Sequence, residues 1–161
     1  MTSGSGSWSF TEADALALTE ALTAFLRASG AHTAVLVDRA GQLVTTAGDP
    51  LEIDLTAFAT LTAADFSAND QLAQLMGEPA FSSLVHQGER ESMLLADVAR
   101  RVILVARFDH RTTLGLVRLA AKDAVGALAR LFHDVFTRAA SATPQPGLLA
   151  GADDEIDRLF G

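Results

Sequence analysis

The chain contains no cysteine, so neither a disulfide framework nor a thiolate metal site can be part of its design. Lysine is nearly absent as well. The single one, Lys122, lies inside a helical pattern, and no G-x-x-x-x-G-K-S/T loop occurs, which excludes phosphate binding of that kind. Gly4-Ser5-Gly6 follows no strand, so it is not a dinucleotide fingerprint. There is no G-x-S-x-G elbow and no H-E-x-x-H pair. The four histidines, His32, His86, His110 and His133, are scattered, and no two stand at metal-ligand spacing. Long apolar runs are missing too: none approaches the ~20 residues of a spanning helix. The opening MTSGSGSWSF has neither the basic start nor the apolar centre of a secretory signal. The expectation is a cytoplasmic protein with no cofactor, no metal and no direct insertion into a membrane.

What is present is a chain of 161 residues, 49% of them hydrophobic, long enough for one domain with a real core. Its net charge of −8 is unevenly spread. Residues 1–79 carry ten acids and two arginines, residues 80–138 six acids and nine bases, and residues 139–161 four acids and one arginine. No net basic footprint exists for nonspecific nucleic-acid binding. The basic middle can face an acidic partner or an acidic part of the chain itself.

The order of elements is readable. Residues 1–9 form a Ser/Gly leader expected to be disordered. Thr11-x-x-Asp14 reads as a capping box, Ala15, Leu18, Leu22, Phe25 and Leu26 recur at helical spacing, and Gly30 stands where a left-handed cap belongs. AVLVDRAGQLVTT reads as a β-hairpin turning at Gly41. From Asp54 a second helix runs to Gly77, with Leu55, Phe58, Leu61, Ala68, Leu72 and Leu75 as its apolar stripe. Its opposite face, Thr56, Thr60, Ala63, Ser67, Gln71 and Gln74, lacks the Glu and Lys of an ordinary wet face and suits close approach of another backbone. Strands FSSLVH, ESMLLADV and RVILVARF follow, the last expected to bury one face. A final helix spans about Thr113 to Arg138, with Leu114, Val117, Ala121, Ala124, Leu128, Leu131 and Val135 inward. The order α-β-β-α-β-β-β-α implies an α+β fold, an αβα sandwich around a five-stranded, mostly antiparallel sheet.

Catalytic constellations are weak. Ser83 and His86 lie three apart on a strand and point to opposite faces, which disfavours a nucleophile–base couple. Asp109-His110-Arg111 reads as a turn leading into a helix capped by Thr112. Arg111, Arg118 and Lys122 read as a solvated basic face able to meet acids. No enzyme is indicated.

The hairpin, the segment FATLTAADFSANDQLAQLMGE, the turn HQGE (His86–Glu89) and FDHRTTLGLVRL (Phe108–Leu119) together resemble the Roadblock/dynein-light-chain family over residues 10–138. Within it they are most similar to the bacterial MglB group, regulators of the Ras-like GTPase MglA. After a flexible linker, residues 139–151, the acidic amphipathic tail 152–161 carries DDEIDRLF, similar to the D-D-x-I-D-x-L-F end of such proteins. The resemblance implies a homodimer in which strand Phe81, Ser82, Ser83, Leu84, Val85 and His86 pairs across a continuous sheet and the second helices lie side by side. It implies a paired-helix surface for an MglA-like GTPase, here Thr60, Ala63, Ala64, Ser67 and Gln71. Such regulators insert no arginine finger; they bias the switch loops so that the GTPase's own groups align for hydrolysis. In the tail, Asp153, Asp154, Ile156, Asp157, Leu159 and Phe160 are the expected partner contacts, ordering on binding as a helix in a groove. The resemblance links the tail to nucleotide exchange and cell polarity or motility, with any polar placement imposed by partners. Asp65, Phe66, Asn69 and Asp70 make the second helix bulkier and more acidic than is usual in the group. The alternative is a non-activating scaffold of the same fold whose tail docks another signalling protein, such as a receiver domain.

Overall fold

The computed structural model describes residues 9–141. The elements are α1 (Glu12–Ser29), β1 (Thr33–Asp38), β2 (Leu43–Gly48), α2 (Leu55–Leu75), β3 (Ser83–Gln87), β4 (Ser92–Val98), β5 (Val102–Phe108) and α3 (Leu114–Ser141). The order is the expected one. The boundaries of β3 shift by one or two residues, and α3 runs three residues past Arg138.

Local chemistry explains the ends. The Thr11 hydroxyl accepts the Asp14 amide at 3.1 Å, and the Asp14 carboxylate accepts the Thr11 amide at 2.8 Å, so the capping box is complete. Gly30 closes α1 with φ 72°, a conformation that costs glycine little. Asp54 caps α2 by accepting the Ala57 amide at 3.0 Å.

The sheet has the order β2-β1-β5-β4-β3, and every adjacent pair is antiparallel. β5 lies at its centre, in register Val35↔Val105 with β1 and Leu95↔Val105 with β4. Helices cover both faces, so β5 buries Ile103 and Val105 on one side and Val102, Leu104, Ala106 and Phe108 on the other. The expectation of one buried face is thereby corrected: a central strand of a three-layer sandwich has no wet side.

The two layers are unequal. On one face α1 and α3 pack together, burying Leu18, Leu22, Phe25, Leu128 and Phe132 against Leu36, Leu94 and Leu104. On the other, α2 alone buries Ala59 and Phe66 against Val35, Val37, Leu95, Ile103 and Val105. At the hairpin's end Gly48 has φ 92°, and a Cβ there would stand 2.3 Å from the His32 carbonyl oxygen, so no larger residue fits.

Candidate functional site: the outer side of α2 and the β3 edge

α2 is not oriented as its leucines suggest. The buried residues are Ala59, Thr62, Ala63, Phe66, Asn69 and Ala73. Leu61, Leu72 and Leu75 are 68%, 55% and 84% exposed, so most of the expected inward stripe faces out. The reason is spacing between layers: small residues let the helix settle close to the β-branched sheet face, and one large side chain, Phe66, fills the remaining volume. Of the stripe, Leu55 and Phe58 are half-buried, and Phe58 packs on the small core.

The exposed apolar residues form their own pattern. Leu61, Ala68 and Leu75 are seven apart, and Asp65 and Leu72 interleave at three and four, the spacing of a helix–helix seam. The direction of this seam is fixed by Asp65, whose Oδ2 lies 2.5 Å from Nε2 of His86 on β3. The seam therefore overhangs β3, an edge strand with one side unpaired. A row of exposed leucines above an open strand edge is a two-layer surface that monomers rarely leave uncovered.

The face next to it is polar and without charge. Thr56, Thr60, Ala64, Ser67, Gln71 and Gln74 are all exposed along its length. The Thr60 hydroxyl donates to the Thr56 carbonyl at 3.0 Å and so turns back on its own helix. Ala63 is buried against the sheet and the Gly41 turn, and it leaves the expected contact set for that reason. The groups that make the helix bulkier and more acidic are turned elsewhere. Phe66 and Asn69 are buried, Asp65 bonds His86, and Asp70 bonds Arg39 at 2.6 Å.

Arg39 is the bolt of this layer. It reaches from the β1–β2 turn to Asp70 on α2 and Asp97 at the end of β4, with its guanidinium 4.7 Å from the Phe66 ring centroid. Burial works against its charge, but the bonds to Asp97 and Asp70 outweigh that and raise its pKa further. Sequence reasoning missed this residue, since nothing local marks an arginine in a turn as one that spans three elements.

The segment expected to pair across a dimer forms the edge strand of the sheet. β3 comprises Ser83, Leu84, Val85, His86 and Gln87, while Phe81 and Ser82 precede it. The Ser82 carbonyl still accepts the Asp97 amide at 3.1 Å, so pairing with β4 reaches one residue further. Leu84 packs with the α2-side core and Val85 with the other, so Ser83 and His86 do point to opposite faces. The tail residues Asp153, Asp154, Ile156, Asp157, Leu159 and Phe160 lie outside the described residues.

A second cluster forms at the far end of the sheet. His32, Glu91 and Asp109 have ligand atoms within 4.8 Å of one another, an arrangement their sequence separation hides. Positive charge is already supplied there. Arg111 Nε bonds both Asp109 oxygens at 2.9 and 3.1 Å, and Arg107 lies 3.7 Å from Glu91. The Arg111 guanidinium holds the Asp109 carboxyl down to about 2. Two guanidinium groups disfavour a cation, and the cluster reads as an ion-pair clasp on the turn after β5. Among the described residues, no helix is long and apolar enough to cross a membrane.

Comparison with known proteins agrees with this geometry. The Roadblock/LC7 domain model matches residues 18–108. Myxococcus xanthus MglB is 38% identical with a TM-score of 0.69, covering 73% of this chain and 95% of that one. The gliding protein MglB from Thermus thermophilus is 34% identical with a TM-score of 0.75, covering 81% and 99%. A structure described as MglB with tetrameric arrangement is also 34% identical, with a TM-score of 0.76 and coverage of 82% and 99%. None of the curated proteins compared with the chain matches it. The chain thus belongs to the Roadblock/LC7 family, to its MglB-like members, and has their fold.

Proposed function

We propose that this protein is a homodimeric regulator of a Ras-like GTPase of the MglA kind, a binding protein rather than an enzyme. In the dimer, the β3 edges of two copies pair into one continuous sheet, and the α2 seams of Leu61, Ala68, Leu72 and Leu75 meet above it. Two α2 helices then present a single platform of Thr60, Ala64, Ser67 and Gln71 to the GTPase near its switch regions. The regulator supplies no arginine finger; it holds the switch loops so that the GTPase's own residues stabilise the developing charge. The tail, through Asp153, Asp154, Ile156, Asp157, Leu159 and Phe160, makes a second contact away from the nucleotide pocket and favours exchange. Tethering to a bound domain raises its local concentration there.

One observation carries the reading: the exposed side of α2 divides into an apolar seam over an open strand edge and an adjoining face without a single charge. A solvated helix has no use for either. The test is calorimetric titration of the protein into its Ras-like GTPase loaded with GDP or a GTP analogue, with Ser67→Arg as the variant. Selective binding of the GTP form, weakened at least about tenfold by the substitution, supports the proposal. Absence of binding to both forms rejects it and leaves a scaffold whose tail docks elsewhere.

A further inference from the structure

The end of the sheet that the last turns of α3 reach carries a device that the α2 platform does not use. The turn between β4 and β5 is built on two non-glycine residues in the left-handed region, Ala99 with φ 54° and Arg100 with φ 58°. That conformation is costly for residues with a Cβ. It is held by Asp97, whose Oδ2 accepts the Arg100 amide at 3.1 Å, and by the Arg101 amide donating to the Val98 carbonyl at 3.1 Å. The result is that Arg100 and Arg101 stand side by side, exposed, at the tip of the two longest strands.

The neighbouring arginines already have acid partners. Arg39 is satisfied by Asp70 and Asp97, and Arg138 bonds Asp14 at 2.6 Å. Asp38, at the neighbouring turn, accepts the Gln42 amide at 2.9 Å. Arg100 makes no ion pair among the described residues, and Arg101 has its guanidinium 4.4 Å from the Phe136 ring centroid. That contact places the arginine pair beside the last turns of α3. Phe136 is only about 8 Å along the helix from Ser141, where the described chain ends.

We propose that in the free protein the acidic segment 152–161 docks in cis on Arg100 and Arg101. Charge complementarity selects the occupant: Asp153, Asp154, Glu155 and Asp157 bring four acids against one arginine, Arg158. Reach permits it, since a flexible chain of the length of residues 142–152 spans about 18 Å. An exposed ion pair is weak alone. Tethering makes the docking intramolecular, and four acids against two arginines let several such pairs act together. The inference goes beyond the GTPase reading and adds a competition to it: a partner that takes the tail must first draw it from this turn.

Because the chain has no cysteine, Gly161→Cys gives one site for a nitroxide label on the full-length protein. Paramagnetic broadening of backbone amides is then measured without any GTPase, so the outcome is independent of the proposed partner. Broadening centred on residues 99–101 is expected. It should fall at least about threefold in Arg100→Glu/Arg101→Glu and at about 1 M salt, where the Debye length is near 3 Å. Reversing Asp153, Asp154 and Glu155 to Lys in the double-Glu background should restore it. A mixed sample, label on unenriched chains and isotope on unlabelled ones, should show none, which establishes docking in cis. Broadening centred instead on Leu116 and Leu119, exposed leucines in the first turns of α3, uniform broadening, or indifference to the arginine variants overturns the proposal.

Discussion

The two faces of this sheet are covered by opposite strategies. Under α1 and α3, large side chains such as Leu22, Phe25, Leu128 and Phe132 turn inward, and the helices are closed against each other and the strands. Over the other face, α2 turns alanines and Phe66 inward and leaves Leu61, Leu72 and Leu75 outside. The first face is finished within one chain. The second leaves its leucine seam exposed, so the proposed interaction surface falls on the weaker layer.

This contrast can be attacked at its thinnest point. Phe66 is the one large side chain of α2 that is fully buried, so Phe66→Ala should lower unfolding free energy by about 3–5 kcal/mol in urea titrations. A loss below about 1 kcal/mol would mean that the small core tolerates collapse and is not a separate layer. Next in size is the seam. Leu72→Lys with Leu75→Lys should weaken self-association by about 10- to 100-fold in sedimentation equilibrium while far-UV dichroism stays unchanged. Unchanged association would remove α2 from the dimer surface.

Arg39→Ala should cost about 1–2 kcal/mol, since its pairs with Asp70 and Asp97 and its ring contact are partly screened by water. Thermal melts of the variant at low and high salt would separate the ion pairs from the ring contact. The smallest effect is expected on the finished face, at the clasp after β5. The Asp109 carboxyl has a folded pKa lowered to about 2, so its stabilisation is present above the unfolded value near ~3.9 and disappears as pH falls through about 2. Asp109→Asn should therefore melt slightly below the wild type at neutral pH, with the gap closing between about pH 4 and pH 2. A gap that persists at about pH 2 would assign the effect to the turn rather than the charge.

How much was legible varies by element. α1 was readable to the residue because Thr11, Asp14 and Gly30 act locally, each within one turn of the helix. The hairpin and the order of the strands were readable from period-two alternation and a glycine turn. α2 defeated the same method. Its apolar residues surround most of the helix, and ranking them by size assigned the leucines to the core. Ala63 was placed outside for the matching reason, as a small residue among small polar ones. The His86–Asp65 bond, the Arg39 bridge and the His32–Glu91–Asp109 cluster join residues far apart in sequence, and no spacing rule reaches them.

The sequence by itself determined which segments are helix and strand, where the caps fall, and that no thiol or nucleotide-loop chemistry is available. These follow from short-range hydrogen bonding and from the inventory of side chains. Only the tertiary structure decided which side of α2 meets the sheet, that both faces of β5 are buried, and that Arg100 and Arg101 stand beside the end of α3. Those outcomes depend on how closely a helix can approach a sheet and on which distant turns share one end of it. Such distances are set by packing against the rest of the fold, after the local choices have been made.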